Sequence, residues 1–248
     1  MELTTTREAA TNHGLKILVH GPAGAGKTRL CATTGDLEHT LILSAEAGLL
    51  SLRDYDIDVA VIKSIADMKS AYSFVRKAIN PEYDGKHYTW VCIDSLSEIA
   101  EVCLAYEKDQ TANGMRAYGE MADVMFKIIR AFRDLAGINV VFTAKQDRVN
   151  DEGRLLYVPL LPGQQLSKGI SYLFDEVFAM RTANDSEGNV RRFLQTVNDG
   201  TYDAKDRSGA LDPAVDPNLH KIATTIHEAG AATGVPGLDT NTNKGDDQ

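Results

Sequence analysis

His20-Gly21-Pro22-Ala23-Gly24-Ala25-Gly26-Lys27-Thr28-Arg29 is the stretch that decides the fold. Glycines at 21, 24 and 26 precede a Lys-Thr pair, matching G-x-x-x-x-G-K-[ST] in full. The apolar run before it, residues 15–20 (LKILVH), has the form of a buried strand, and residues 28–34 continue it as a helix. Strand before and helix after is the context that gives this motif its meaning. Glycines let the backbone curl until successive N–H groups face one concavity, and the helix N-terminus adds partial positive charge. A lysine is a mobile point charge and a threonine hydroxyl a hard metal ligand, so the run from Gly21 to Thr28, with Arg29 next to it, is built to hold a phosphate chain and its divalent cation.

Outward from this loop the chain alternates. Short apolar runs at residues 40–44, 57–62, 88–93 and 138–143 predict strands, and residues 65–79, 95–108 and 118–136 predict helices. Residues 65–79 carry Ile65, Met68, Tyr72, Val75 and Ile79 at helical spacing and end at Asn80-Pro81. Near-continuous apolar strands separated by helices predict an α/β fold, a mostly parallel sheet flanked by helices on both faces. Beyond Gln146 the pattern changes. Residues 110–116 and 147–170 read as loops, residues 176–182 and 190–197 as an antiparallel β-hairpin, and residues 219–229 as a last helix. The expected organisation is a polar lead-in (1–13), one domain (14–229) and a disordered tail (230–248).

Composition narrows the classes. The chain has 248 residues with 43% hydrophobic and 25% charged, an ordinary globular balance. No run of 18 apolar residues is present, so no membrane span or membrane partner is expected. The start lacks the apolar core of a secretory signal, and three cysteines without metal spacing suit a reducing, cytoplasmic setting. Asp and Glu outnumber Lys and Arg by 35 to 26, a net charge of −9, which excludes a broadly basic coat for duplex DNA. The six histidines are scattered, with no zinc pattern.

The strand at 88–93 ends in Asp94-Ser95, a carboxylate for the metal alongside Thr28. Because Ser95 stands where many ATPases carry a glutamate, the base must come from elsewhere, and Glu46, just past the end of the strand at 40–44, is the candidate to orient a water. The order of these motifs resembles the RecA-like P-loop ATPases. In that family a strand ending in a D-A-E segment carries the catalytic glutamate, and a later strand ends in Asp-Ser. Ser44-Ala45-Glu46 and Ile93-Asp94-Ser95 stand at those places, with Ser44 replacing the family's acid. The resemblance implies Mg²⁺ and ATP as cofactors, and a γ-phosphate sensor at Lys145 or Gln146. Lys205 and Arg207, in Ala204-Lys205-Asp206-Arg207-Ser208-Gly209, resemble the cations that hexameric relatives project into a neighbour's site. That implies self-association into a ring or filament.

Residues 20–211 also resemble the short ATPases of phages assigned to single-strand annealing and recombination. Family loops that bind single-stranded DNA correspond to about residues 108–118 and 147–170, where Arg116, Tyr118, Arg148, Arg154 and Lys168 offer cations and an aromatic face. A single-strand binding protein is the further partner implied. The second reading is a nucleotide-gated assembly or loader protein with little affinity for DNA.

Overall fold

The computed structural model describes residues 3–6, 13–46, 48–151 and 153–232. Strand β1 (Lys16–His20) is buried along its whole length, because helices cover both of its faces. It is flanked by two parallel neighbours, β5 (Asn139–Ala144) and β8 (Glu176–Asn184). Beyond β5 follow β4 (Trp90–Asp94), β2 (Thr40–Ser44) and the edge strand β3 (Asp58–Val61), all parallel. Beyond β8 the sheet turns antiparallel through β9 (Val190–Gln195), β10 (Lys205–Asp206) and β11 (Ala214–Val215). The order is β11-β9-β8-β1-β5-β4-β2-β3, nine strands with β10 paired to β8. This is the predicted α/β architecture of a P-loop NTPase, with its late antiparallel hairpin.

Strand alternation divides the core in two. Leu18, Leu41, Leu43, Val91, Ile93, Val140 and Phe142 face one cluster, completed by helices α2 (Ile65–Ala78), α3 (Leu96–Gln110) and α4 (Gly114–Arg133). Ile17, Val19, Ile42, Cys92, Val141, Phe178 and Leu194 face the other, under α1 (Lys27–Leu30) and α6 (Leu219–Ala232). Phe142 is an edge-to-face bridge in the first cluster, with ring centroids 6.4 Å from Phe132 and 5.1 Å from Phe174. The three cysteines are free and buried. No helix among the described residues is long and apolar enough to cross a membrane.

Several expectations change. The helix foreseen over 28–34 is α1 with a 3₁₀ turn, Cys31–Thr33. The loop foreseen over 110–116 is three residues long, because the Asn113 side chain accepts the Arg116 N–H and starts α4 at Gly114. The long loop foreseen over 147–170 is folded. It forms a separate antiparallel hairpin, β6 (Gln146–Asp151) and β7 (Arg154–Pro159), followed by the short helix α5 (Gln164–Gly169). Residues 230–232 continue α6 instead of opening the tail, and residues 233–248, with most of the lead-in 1–13, lie outside the described residues.

The junction of β8 with β10 holds two carboxyls. Glu176 is 1% exposed and in register with Asp206. Its Oε1 accepts the Ser208 N–H at 3.2 Å, while Oε2 is buried without a partner. Burial, then the charge of Asp206, pushes the Glu176 carboxyl up to about 8. An unfolded glutamate ionises near 4.5, so this group's contribution to stability is complete below that pH and is lost as pH rises through about 8. Urea unfolding of Glu176→Gln should therefore show a stability advantage over wild type that widens from about pH 5 to 8.5. Parallel curves for the two proteins would mean that Glu176 is ionised throughout.

Candidate functional site

Residues 21–28 bridge the end of β1 and the start of α1 at the C-terminal edge of the parallel strands. Gly24 and Gly26 adopt φ of 73° and 108°, left-handed values that a side chain disfavours. An atom built at the Cβ position of Gly24 would meet nothing within 4 Å, so the concavity is open. The Lys27 ammonium folds back over it, donating to the Gly21 carbonyl at 2.8 Å and the Pro22 carbonyl at 2.9 Å. Burial lowers the Lys27 pKa, against the opposing pull of Glu46 and Asp94. Just ahead of the loop, His20 is fully buried with Nε2 2.7 Å from the Asp203 carbonyl oxygen, and burial holds its imidazole neutral.

Asp94 closes the floor. Thr28 Oγ1 donates to Asp94 Oδ2 at 2.8 Å, and Thr143, on the neighbouring strand β5, donates to Oδ1. The residue is 2% exposed, and burial raises its pKa although both hydroxyls and Lys27 oppose the rise. Ser95 caps α3, and its Oγ donates to Glu46 Oε1 at 2.5 Å. Glu46 therefore stands beside Asp94, held there by Ser95. The Glu46 N–H also donates to the Asp94 carbonyl at 3.3 Å, which fixes the turn after β2.

Lys145 completes this wall. Its Nζ is 2.8 Å from Glu98 Oε2 and 3.9 Å from Glu46 Oε1, and these acids raise its pKa, Glu98 most. Its N–H donates to Ser97 Oγ, and Ser97 donates to the Leu160 carbonyl, so one hydroxyl pins both feet of the β6–β7 hairpin. Gln146 lines the same cleft with its Oε1 buried and unpartnered. The cleft encloses about 800 Å³ and runs from Glu46, Lys145 and Gln146 across the phosphate loop to Thr33 and Pro217. Arg29 lies on its rim, 3.3 Å from the Tyr55 hydroxyl.

Other candidates stand outside it. Lys205 is held within the chain, donating to the carbonyls of Ser171 at 2.8 Å and Phe174 at 2.6 Å. Arg207 is exposed and pairs with Asp175 at 2.8 Å. Arg148 and Arg154 are exposed on the β6–β7 hairpin, not in a loop as foreseen. Arg116 and Tyr118 belong to the first turns of α4, where Arg116 is 3.6 Å from Glu120 and Lys108 lies 5.4 Å from the Tyr118 ring. Lys168 is exposed on α5. Tyr157, on β7 opposite Arg148, is stacked on Tyr202 at 4.7 Å and is not free to take a base there.

Sequence reasoning missed Thr143, Glu98, Ser97 and Arg192 around this cleft. Thr143 carried a usable signal, since a polar residue ending an apolar strand next to a carboxylate strand seeks a partner. The others depend on which elements fold together.

Residues 13–208, most of the chain, match the family model described as AAA domain. Comparison with curated proteins returns no match. Lys27→Ala should bind nucleotide at least tenfold more weakly in calorimetry while its melting temperature without nucleotide is kept, because its ammonium reaches over the loop to the Gly21 and Pro22 carbonyls and not into the core.

Proposed function

The chain belongs to the AAA-domain family, a nucleotide-binding ATPase class, and from that premise we propose that it hydrolyses Mg-ATP as a RecA-like motor on single-stranded DNA. One observation carries the reading. A carboxylate (Glu46) and two cations (Lys27, Lys145) line one cleft around an open glycine loop, and the buried carboxylate of Asp94 lies behind it, bonded to Thr28.

The residues present suit a divalent cation. Among the described residues no group of three or more His, Cys, Asp or Glu side chains gathers, so the protein offers Thr28 and Asp94, and the nucleotide and water would supply the rest. Held on the side of Thr28 and Asp94, a divalent cation would supply neutralisation of charge on the phosphate oxygens. The loop N–H groups take the phosphates, and Lys27 exchanges its two carbonyl partners for phosphate oxygens. Glu46, kept in place by Ser95, orients the attacking water and accepts its proton. Lys145 beside it and the unpartnered amide of Gln146 lie where a change at the terminal phosphate would be felt.

The β6–β7 hairpin starts at Gln146, so that signal has a short path to Arg148 and Arg154, the exposed cations offered to single-stranded DNA. Assembly into a ring or filament would bring Arg207 to a neighbour's cleft. Lys205 would first have to release two carbonyls, which favours Arg207 as the projecting cation. The segment 204–209 supports a role of the phage kind in annealing or recombination.

The test is ATP turnover with and without single-stranded DNA, with Glu46→Gln as control. Wild type should be stimulated several-fold, and Glu46→Gln should bind nucleotide but lose about 10²–10⁴ in turnover. A DNA-indifferent rate with nucleotide-dependent oligomers would favour the assembly or loader reading instead. Arg207→Ala should lose turnover and recover part of it when mixed with excess Glu46→Gln subunits; a mixture that stays inactive removes the in-trans role.

A further inference from the structure

Arg192, like Arg29, is a cation of the cleft that the mechanism above leaves unused, but Arg29 already meets the Tyr55 hydroxyl at 3.3 Å. In the β8–β9 ladder Met180 is in register with Leu194 and Thr182 with Arg192, so Met180, Leu194 and Arg192 share one face of the hairpin. Met180 and Leu194 are buried there against the cluster that includes Leu30 of α1. Arg192 is one step further out, where the strand leaves the core and overhangs the loop. An atom at the Cβ position of Gly26 would lie 3.5 Å from Arg192 Cδ and 3.7 Å from its Nε. The guanidinium therefore stands at the rim of the loop's concavity and lines the cleft.

Its partners are the second observation. Arg181 is taken by Gln195 at 2.5 Å, Arg191 by Asp216 at 3.5 Å and Arg207 by Asp175 at 2.8 Å. Arg192 has neither an ion pair nor a hydrogen bond among the described residues, in a chain with nine more acidic than basic charges. Sheet order then fixes its side. Asp94 ends β4, and Glu46 and Lys145 follow β2 and β5, all on one flank of β1, whereas Arg192 comes from beyond β8 on the other.

We propose that Arg192 binds the nucleotide in cis, its planar fork holding the phosphates that are not transferred, from the flank opposite the Glu46 carboxylate. This deepens the nucleotide-binding reading and rests on it. A guanidinium suits the task because it grips phosphate oxygens in pairs and stays charged at any working pH.

Calorimetry of wild type, Arg192→Ala, Arg192→Lys and Arg191→Ala with Mg-ATP and with Mg-ADP tests this. Arg192→Ala should weaken both nucleotides alike, roughly ten- to hundredfold. Arg192→Lys should fall between, and Arg191→Ala should match wild type. Thermal melts confirm that the variants are folded, and should Arg192→Ala melt early, the Lys variant carries the comparison. Wild type that binds both nucleotides while Arg192→Ala binds them equally well overturns the inference alone. A loss confined to ATP, with lost turnover, overturns it in favour of contact with the transferred phosphate. Wild type that binds neither nucleotide sinks the nucleotide reading itself.

Discussion

Asp94 accepts hydrogen bonds from Thr28 and Thr143, and this pair of contacts joins the three parts from which the cleft is made: the phosphate loop, the strand β4 and the strand β5. A carboxylate 2% exposed is costly unless its oxygens are satisfied, and leaving one buried partner unpaired costs about 1–3 kcal/mol. The insertion of β5 between β1 and β4 is what brings Thr143 to that oxygen. Without this strand order the loop's Thr28 and the Asp94 carboxylate would have no shared floor with Thr143.

The arms around the floor are tied to it by few side chains. Ser95 holds Glu46, and Ser97, two residues on, holds the backbone at Lys145 and Leu160. The first turn of α3 thus positions both the acid and the root of the β6–β7 hairpin. A second tie runs over the far side of the sheet. Tyr157 of the hairpin stacks on Tyr202, Arg181 lies 4.1 Å over Tyr202, and it also lies 5.3 Å over Phe193. Phe193 and Arg192 are successive residues on β9 and point to opposite faces. One strand therefore meets the aromatic stack with one residue and the phosphate loop with the next.

The expectations that failed did so for local reasons. The segment 146–151 (QDRVND) has almost no apolar content, so nothing in it announces a strand; its pairing energy comes from residues 154–159 (RLLYVP) across the turn. Gly153, with φ of 87°, and the Asn150 side chain that accepts its N–H were the legible signs of that turn. The helix α4 starts four residues before the expected Tyr118, because the cap at Asn113 makes Gly114 the first helical residue. Lys205 differs from Arg207 in that its ammonium donates to two carbonyls of its own chain, a contact that no local pattern announces.

What the chain's order alone determined was the phosphate loop, the buried parallel strands and the carboxylates at their ends, since each depends on residues adjacent along the backbone or on a simple period of apolar side chains. Only the tertiary structure decided that Ser95 would hold Glu46, that Lys145 would stand between two glutamates, and that Arg192 would overhang Gly26. Those pairs come from different strands and loops, and their meeting depends on strand order and on which face of the sheet each helix covers. Packing of the whole core sets both, and no local stretch of sequence contains that information.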